Sequence, residues 1–416
     1  MARSFDPMSF VTAAIKSLLE LLALASFATL LWQWVLAVRF PPHRRGPAPA
    51  FAPAITIVKP LKGCESDTET CLRSWLEVEY PGPLQYLFGV ARADDPVCAL
   101  VSRLLSQYPH RDARLVICGE KLGANAKVST LTQLQRDARH EILAVSDADV
   151  RIEKDLLAHL VAPLDDPRVG LVNCLYALAN PTTLAMRWEA VAINADFWSQ
   201  VLQSQFLEPL DYALGAVMAV RRRSLEQIGG FAVLADYLAD DYQLGHRVSQ
   251  AGYRVVLSPL VAQCWSGPMT WRQVWNHQLR WARTIRCSKP FPYALSLVSN
   301  PTVWPLCWFL AVPTPAVGLT VLLCLAVRVG LGQDLQRRLV RHWPPHPLMV
   351  LVKDVLNLAI WLGSWMGNEV QWRGTHFRIL PGGKLRPAER PPLADAGIAP
   401  HYPSGNDPIA RKDPTV

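Results

Sequence analysis

Four places in this 416-residue chain gather residue types that can do chemistry. The first is Asp147-Ala148-Asp149, directly after the apolar run Ile142-Leu143-Ala144-Val145. If the triplet is extended, both carboxylates turn to the same side, because side chains alternate along a strand. Mg2+ or Mn2+ takes oxygen ligands, commonly one or two carboxylates plus substrate phosphates. Asp147 and Asp149 at the end of a buried strand therefore suggest a divalent-metal–diphosphate site, although a solvated turn is the commoner meaning of the triplet alone. The second place is Leu238-Ala239-Asp240-Asp241-Tyr242-Gln243-Leu244-Gly245. Adjacent acids in an apolar stretch repel each other and resist desolvation, so one is expected to hold a raised pKa or a hydrogen-bond partner. Such a carboxylate suits a general base that takes a proton from a hydroxyl nucleophile. A helix N-terminus also favours acids, and both roles are compatible, with Asp240 capping and Asp241 reacting.

The third place is His277-Gln278-Leu279-Arg280-Trp281-Ala282-Arg283-Thr284-Ile285-Arg286, preceded by Trp271 and Trp275. Arg holds phosphate oxygens bidentately, and Trp can stack on a sugar. An amphipathic helix on a headgroup layer reads the same residues equally well. The fourth is Lys127, in a Gly-Ala-Asn-Ala-Lys turn that opens a helical stretch. A helix N-terminus with a Lys suits diphosphate oxygens; without other phosphate signals it would be an ordinary surface Lys.

These residues need a scaffold. Short β-branched runs alternate with helical stretches. Strands are expected at 55–58, 85–90, 114–118 and 141–145, and helices at 68–78, 96–107 and 125–139, with Asp67 a possible N-cap. The alternation implies an α/β domain with a mostly parallel sheet and helices on both faces. In such sheets ligands bind beyond the carboxyl ends of the strands. Each strand here ends in polar residues: Lys59 to Glu65, Arg92 to Pro96, Gly123 to Lys127, and Ser146 to Asp149.

The ends of the chain differ from its middle. The formal net charge is +8, yet residues 51–300 carry 25 basic and 25 acidic side chains. The excess sits on the flanks, beside the apolar runs, which argues against a nucleic-acid partner and for a membrane. Leu21–Val38 is 18 uncharged residues and Thr302–Val327 is 26. Pro347–Gly367 is apolar except for Lys353 and Asp354. About 20 apolar residues cross a bilayer as a helix. The first run ends at Ala37-Val38-Arg39-Phe40-Pro41 without a small-x-small site, so an uncleaved anchor is expected rather than a signal peptide. Pro305, Pro313 and Pro315 interrupt the second run, leaving it open whether it crosses or re-enters. Lys353 and Asp354 are adjacent, so they are not expected to face each other; each is expected to pair with another span or a headgroup.

Basic residues follow the first run (Arg39, Arg44, Arg45) and the last (Arg373, Arg378, Lys384, Arg386), which puts the central domain in the cytoplasm. Arg328, Arg337, Arg338 and Arg341 then fall outside if every run crosses. The organisation read is an anchor over 1–40, a Pro-rich linker over 41–54, the α/β domain over 55–295, a membrane region with about two spans over 296–380, and a Pro-rich, disordered tail over 381–416. The nine Cys show no metal-ligand spacing and fit reduced thiols in a cytoplasmic domain.

As a set, these motifs resemble the ceramide glucosyltransferase-like branch of the family-2/21-type glycosyltransferases, which includes the hopanoid-associated enzymes. The resemblance runs from about Ile55 to Gly374. It includes Val58-Lys59-Pro60-Leu61-Lys62-Gly63, the Ala-Asp-Asp-Pro stretch, Gly123 to Lys127, Asp147 to Asp149, Leu238 to Gly245, Arg280-Trp281 with Arg283 to Arg286, and Gly367 to Gly374. It implies a cytoplasmic GT-A (Rossmann-like) domain held by N- and C-terminal transmembrane helices, in an integral, multi-pass protein of a bacterial-type inner membrane. It implies a UDP-sugar donor, a lipid acceptor in the bilayer and a Mg or Mn cofactor. Glu65 would contact uracil or ribose. Asp147 and Asp149 would hold the metal and diphosphate, with Asp149 the direct ligand, and Lys127 would reach the diphosphate. Asp241 would be the base, giving inversion at the anomeric carbon. Arg280 and Trp281 match the last two positions of a (Q/R)-x-x-R-W signature. Its first position is His277 here, with Gln278 adjacent. An Asp common near position 92 is Arg92, which makes Asp94 the substitute for nucleotide contact. The resemblance suggests UDP-glucose with ceramide, or UDP-N-acetylglucosamine with a hopanoid polyol. A processive polysaccharide synthase shares the same motifs, and a membrane adaptor with a degenerate nucleotide fold is the non-enzymatic alternative.

Overall fold

A computed structural model describes residues 7–47, 49–341, 346–372 and 375–388. Its centre is an eight-stranded sheet: β1 (Ile55–Leu61), β2 (Leu84–Val90), β3 (Asp112–Ile117), β4 (Ile142–Ser146), β5 (Val150–Arg151), β6 (Val169–Leu178), β7 (Val217–Arg221) and β8 (Arg254–Cys264). The spatial order is β3-β2-β1-β4-β7-β6-β8-β5. β1 to β4 are mutually parallel and β6 runs parallel to β8, while β7 and β5 pair antiparallel with their neighbours. The four expected strands and three expected helices are present, each shifted by a few residues at most.

β1 and β4 are buried at every position, as strands covered by helices on both faces must be. Two apolar cores result. One joins Val58, Leu143 and Val145 to Leu131, Leu134 and Trp198. The other joins Ile55, Ile57 and Ala144 to Trp75, Leu104 and Leu160. Edge strand β3 alternates instead and stays partly exposed.

The apolar ends form helices packed against this domain. The helix Pro7–Arg39 is followed much later by Val303–Ala311, Pro315–Leu339 and Pro347–Trp365. Three of these are long and apolar enough to cross a membrane, and Pro290–Ser299 with Val303–Ala311 is a further pair, bent by 56°. The run over 302–327 is thus broken at Val312-Pro313-Thr314, where Thr314 caps the next helix and Pro315 opens it.

Three expectations are corrected. Asp147 and Ala148-Asp149 form a turn between β4 and β5 rather than an extended strand, so the two carboxylates meet different neighbours. Asp67 precedes the helix Thr68–Leu76 without a capping side-chain bond; its carboxylate accepts instead from Ser66 Oγ and Asn180 Nδ2. Lys353 and Asp354 do touch each other, within a buried cluster that also contains Arg328 and Asp196. A long flexible Lys stem reaches its neighbour where a Cβ-level argument says it should not.

Residues 381–388, placed on sequence in the tail, include strand β11 (Leu385–Pro387), which joins β10 (Thr375–Ile379) and β9 (Glu369–Trp372) in a small antiparallel sheet. The rest of the tail call lies outside the described residues.

Candidate active site

The carboxyl ends of β1 and β4 open onto one cleft, and a chain of alternating charges lines it. Lys127 stands at the start of the helix Ala126–Asp137, whose N-cap Asn125 accepts from Val128 N at 3.1 Å. It is buried, and its Nζ lies 2.8 Å from Asp147 Oδ1 and 3.1 Å from Asp240 Oδ2. Two acids that are far apart in sequence therefore share one cation, which holds the Lys127 ammonium well above its ordinary pKa against the cost of burial. The turn that delivers Lys127 is itself tied to the acid segment. Asn125 N donates to Ala235 O at 2.7 Å and Asn125 Nδ2 to Tyr237 O at 2.8 Å.

Asp241 follows Asp240 in the first turn of the helix Asp240–Gln250. Its Oδ1 accepts from Tyr242 N at 2.8 Å. Its other oxygen faces Gly215, where an added Cβ would stand only 2.6 Å away; glycine here makes room for the carboxylate. Burial, with the Asp240 charge second, pushes Asp241 up to about 6. Asp240, expected as a possible cap, is instead the partner of Lys127, and Ala239 occupies the N-cap position.

Asp149 lies at the exposed rim of the turn, with its own carbonyl accepting from Trp265 N at 2.8 Å. Its dense surroundings and the Asp147 charge raise it to about 6. The turn is propped from below by Lys59 on β1. The buried Lys59 ammonium donates to Asp147 O at 2.7 Å and Ser146 Oγ at 3.2 Å, and sits 4.4 Å over the Trp75 ring. Burial lowers Lys59 to about 7.

The donor set tests a divalent cation. No group of three or more His, Cys, Asp or Glu side chains forms a metal cage among the described residues. Two carboxylates on one turn, with Asp149 at the exposed rim, fit a hard cation that completes its shell with water and a substrate diphosphate.

Other expected site residues divide. Glu65 accepts from Gly267 N at 3.0 Å, bridging the end of β1 to the segment after β8 at the cleft edge. Asp94 is exposed and ion-paired with Arg92 at 2.5 Å. The loop is organised by its neighbour Asp95, which accepts from Gly63 N at 3.0 Å and Val97 N at 3.0 Å. Gln278 and Trp281 lie on the helix Trp271–Ser288, which starts with a capping box of Thr270 and Gln273. Arg280 is on the same helix, its carbonyl accepting from Thr284 Oγ1 at 2.7 Å.

Glu189 was missed in the sequence. It is fully buried, and one carboxylate oxygen meets Gln278 Nε2 at 2.8 Å and His277 Nδ1 at 2.6 Å. The His277 ring in turn lies 4.5 Å from that of Trp281. An acid beside Trp188 in the largely apolar stretch 184–195 was the available signal. His277, at the signature's first position, and the adjacent Gln278 thus share Glu189 as one anchor. Trp188, beside it, stacks on Trp271 and Trp275 at 5.8 and 6.2 Å. The helix 271–288 is therefore packed against the domain as well as against the last apolar helix.

The last wall comes from beyond the apolar helices. Gly382 and Gly383 take positive φ (78° and 85°), a turn that L side chains resist. Their carbonyls accept from Gln243 Nε2 at 3.3 Å and Leu238 N at 3.3 Å, and Leu385 N donates to Asp236 O at 2.6 Å. The small sheet thus clamps both sides of the Asp240-Asp241 pair.

Comparison with known proteins agrees with this architecture. The sequence model of Glycosyl transferase family 21 matches residues 17–385. Ceramide glucosyltransferase 3 of Caenorhabditis elegans is 20% identical over 356 residues, covering 83% of this chain and 77% of that protein. Beta-monoglucosyldiacylglycerol synthase of Trichormus variabilis is 24% identical over 246 residues, covering 58% and 51%. Among solved structures, the mannosyltransferase PcManGT from Pyrobaculum calidifontis, in complex with GDP-Man and Mn2+, has a TM-score of 0.51 at 21% identity, covering 84% of this chain and 97% of that one. The fold is GT-A. The match spans the first apolar helix, the cleft and the clamping sheet alike, and the chain is a glycosyltransferase that belongs to glycosyl transferase family 21.

Proposed function

We propose that this enzyme transfers a sugar from a UDP-sugar to the hydroxyl of a membrane lipid, with inversion. The carrying observation is the charge relay Asp147–Lys127–Asp240, with Asp241 next to it, in a cleft one wall of which is packed on an apolar helix. Asp241, raised to about 6, is ionised at neutral pH yet basic enough to take a proton from an alcohol. The acceptor oxygen, as it loses that proton to Asp241, attacks the anomeric carbon on the face opposite the diphosphate. The C–O bond to UDP breaks, and UDP leaves with the electron pair. Asp149 and Asp147 would hold a Mg or Mn ion, which supplies charge neutralisation for the leaving diphosphate. Lys127 faces the same phosphates, and Glu65 the nucleoside. The relatives named for glucosyl transfer to ceramide and diacylglycerol favour glucose over N-acetylglucosamine as the sugar. The test is to incubate membranes holding the full chain with each UDP-sugar and Mn2+, then to analyse the lipids by mass spectrometry. Asp241→Asn is expected to stay folded and to bind UDP while losing transfer. Turnover by that variant near the unmodified rate rejects Asp241 as base, and polymer in place of glycolipid favours a processive synthase.

The membrane seating completes the reading. Pro7 to Gln33, 27 residues or about 39 Å of helix, crosses before Gln33 meets Gln203 of the domain at 2.7 Å. The hairpin of Val303–Ala311 and the start of Pro315–Leu339 only dips in, because Arg328 is already back at Asp196 of the domain, 2.8 Å away. From Pro315 to Arg328 is about 20 Å, short of a core about 30 Å thick. Trp34 Nε1 donates to Asp334 Oδ2 at 2.8 Å, and His43 lies 2.9 Å from Leu339 O. Arg337, Arg338 and Arg341 therefore sit on the same side as Arg39, Arg44 and Arg45, consistent with a cytoplasmic domain. Pro347–Trp365 lies in the membrane plane. Val350, Lys353, Asp354, Ile360 and Ser364 are buried along one face, and Leu348, Val352, Val355, Leu362 and Met366 are exposed along the other. An epitope placed after Arg341 is then reached only from the cytoplasmic side.

A further inference from the structure

Beyond the cleft, a cavity of about 760 Å³ opens where the helix 271–288 meets the end of Pro347–Trp365 and the small sheet. Three guanidinium groups, Arg283, Arg286 and Arg378, line it against a single carboxylate, Glu369. Glu369 Oε1 lies 3.7 Å from Arg378. Arg283 and Arg286 are one helical turn apart and donate to neutral acceptors: Arg283 to the carbonyls of Gly363 and Glu369, Arg286 to the Gly367 carbonyl at 3.3 Å and to Asn368 Oδ1. The Nε–H of each is buried with no acceptor among the described residues. Burial and the Arg286 charge both lower Arg283 below the ordinary arginine value. Three guanidinium groups thus share one carboxylate, and the cavity beside them has room for a further anion.

The position names the kind of anion. Arg286 lies over the Trp365 ring at 5.2 Å. Trp365 and its neighbour Met366, 85% exposed, close the exposed apolar stripe of the in-plane helix. Aromatic and apolar side chains beside arginines mark the headgroup layer of a bilayer. The site is also separate from the cleft: Arg286 is five residues beyond Trp281, about 7.5 Å along the helix, and its partners are Gly367 and Asn368 rather than the cleft acids.

We propose that this cavity holds the phosphate of an anionic membrane lipid, fixing the helix that carries His277, Gln278 and Trp281. The chemistry shared with a soluble ligand is the phosphate itself, so the test separates the sources. The full chain in neutral detergent is titrated with dioleoylphosphatidylglycerol or dioleoylphosphatidylcholine, and lipid retention is read by native mass spectrometry. No sugar donor is present, so the outcome is independent of the transfer reaction. Phosphatidylglycerol is expected to be retained in preference, and Arg286→Gln/Arg378→Gln to weaken it about 30-fold, from roughly 1 kcal/mol per basic group. Arg286→Lys/Arg378→Lys should recover most of that loss. Arg378→Gln alone, on an exposed strand position, keeps the fold and should cost several-fold. Equal retention of the two lipids, or retention unchanged in the Gln variants, overturns the proposal. Displacement of the lipid by millimolar inorganic phosphate overturns it in favour of a soluble phosphate ligand.

Discussion

Replacing Lys127 by Met removes the cation that Asp147 and Asp240 share while keeping most of the side-chain stem. The sign of the effect on Asp241 follows from charge. A nearby ammonium favours the ionised carboxylate, so its loss must raise the Asp241 pKa above about 6. Opposite charges at close range move a carboxylate by roughly 1–3 pKa units. Lys127 is in direct contact with Asp147 and Asp240 rather than Asp241, so the lower end applies, about 1–1.5 units. The ionised fraction of the base at pH 7 then falls from about 90% to about 25–50%, and at pH 6 from about half to below a tenth. The acid limb of kcat/KM against pH should therefore move to higher pH by about one unit or slightly more. The plateau should drop as well, because the proposed role of Lys127 is to face the donor phosphates. Breaking a buried pair costs about 3–5 kcal/mol; Asp147 is 40% exposed and can turn to water, which favours the lower figure. The assay is UDP release between pH 5 and 9 by variant and unmodified enzyme in the same lipid mixture, with folding checked by thermal unfolding. A variant that is folded and active, with its acid limb still at or below pH 6, refutes the coupling of Lys127 to the base.

Other perturbations probe the supports of the site. Gly215→Ala places a methyl 2.6 Å from Asp241 Oδ2 and 3.1 Å from its Cγ; the Asp241 side chain rather than the backbone must shift, so stability should hold while turnover falls about 10–100-fold, and full activity would show that this carboxylate position is unimportant. Glu189→Gln keeps the shape of the anchor but removes its charge, weakening a charge-assisted bond of about 1.5–3 kcal/mol; the donor KM should rise about tenfold with kcat changed less, and an unaltered KM would separate His277 and Gln278 from donor binding. Arg328→Met leaves Asp196 and Asp354 with only Lys353 between them and should cost about 3–5 kcal/mol in thermal unfolding in detergent. Adding Asp354→Leu should restore part of that loss, and additive losses would argue that the cluster is not a unit.

The sequence read most clearly where one local rule dominated. β1, β2 and β4 were legible because strands covered on both faces are continuous apolar runs, while edge strand β3 was legible from its short apolar run before Cys118. β6, β7 and β8 carried no comparable alternation with helices, and the antiparallel insertion of β7 between β4 and β6 is set by packing between distant segments. Among the site residues, Lys127 was visible as a lysine in a turn, but not as the shared partner of Asp147 and Asp240, which lie 20 and 113 positions further along the chain. Lys59 was visible only as one residue of a motif; its role under the Asp147 turn depends on β1 and β4 lying side by side. The conflict posed by Arg337, Arg338 and Arg341 disappears under the proposed seating, in which not every apolar run is a crossing. Counting apolar residues cannot show that Arg328, Lys353 and Asp354 return to an acid of the soluble domain. The clamping sheet escaped notice because its glycine turn lies next to a Pro-rich tail.

That clamp sets an order of events during synthesis. The segment holding Asp240 and Asp241 is joined to Gly382, Gly383 and Leu385, residues that emerge about 140 positions later. At roughly 5–20 residues per second, the ribosome needs on the order of 7–30 seconds to produce them, and the three later apolar helices are made in that interval. A nascent chain can therefore form its central sheet while the wall beside Asp240 and Asp241 is still missing. Completion of the candidate site waits on the apolar helices and the small sheet that follows them, so chains that stop before them are left with an unfinished site.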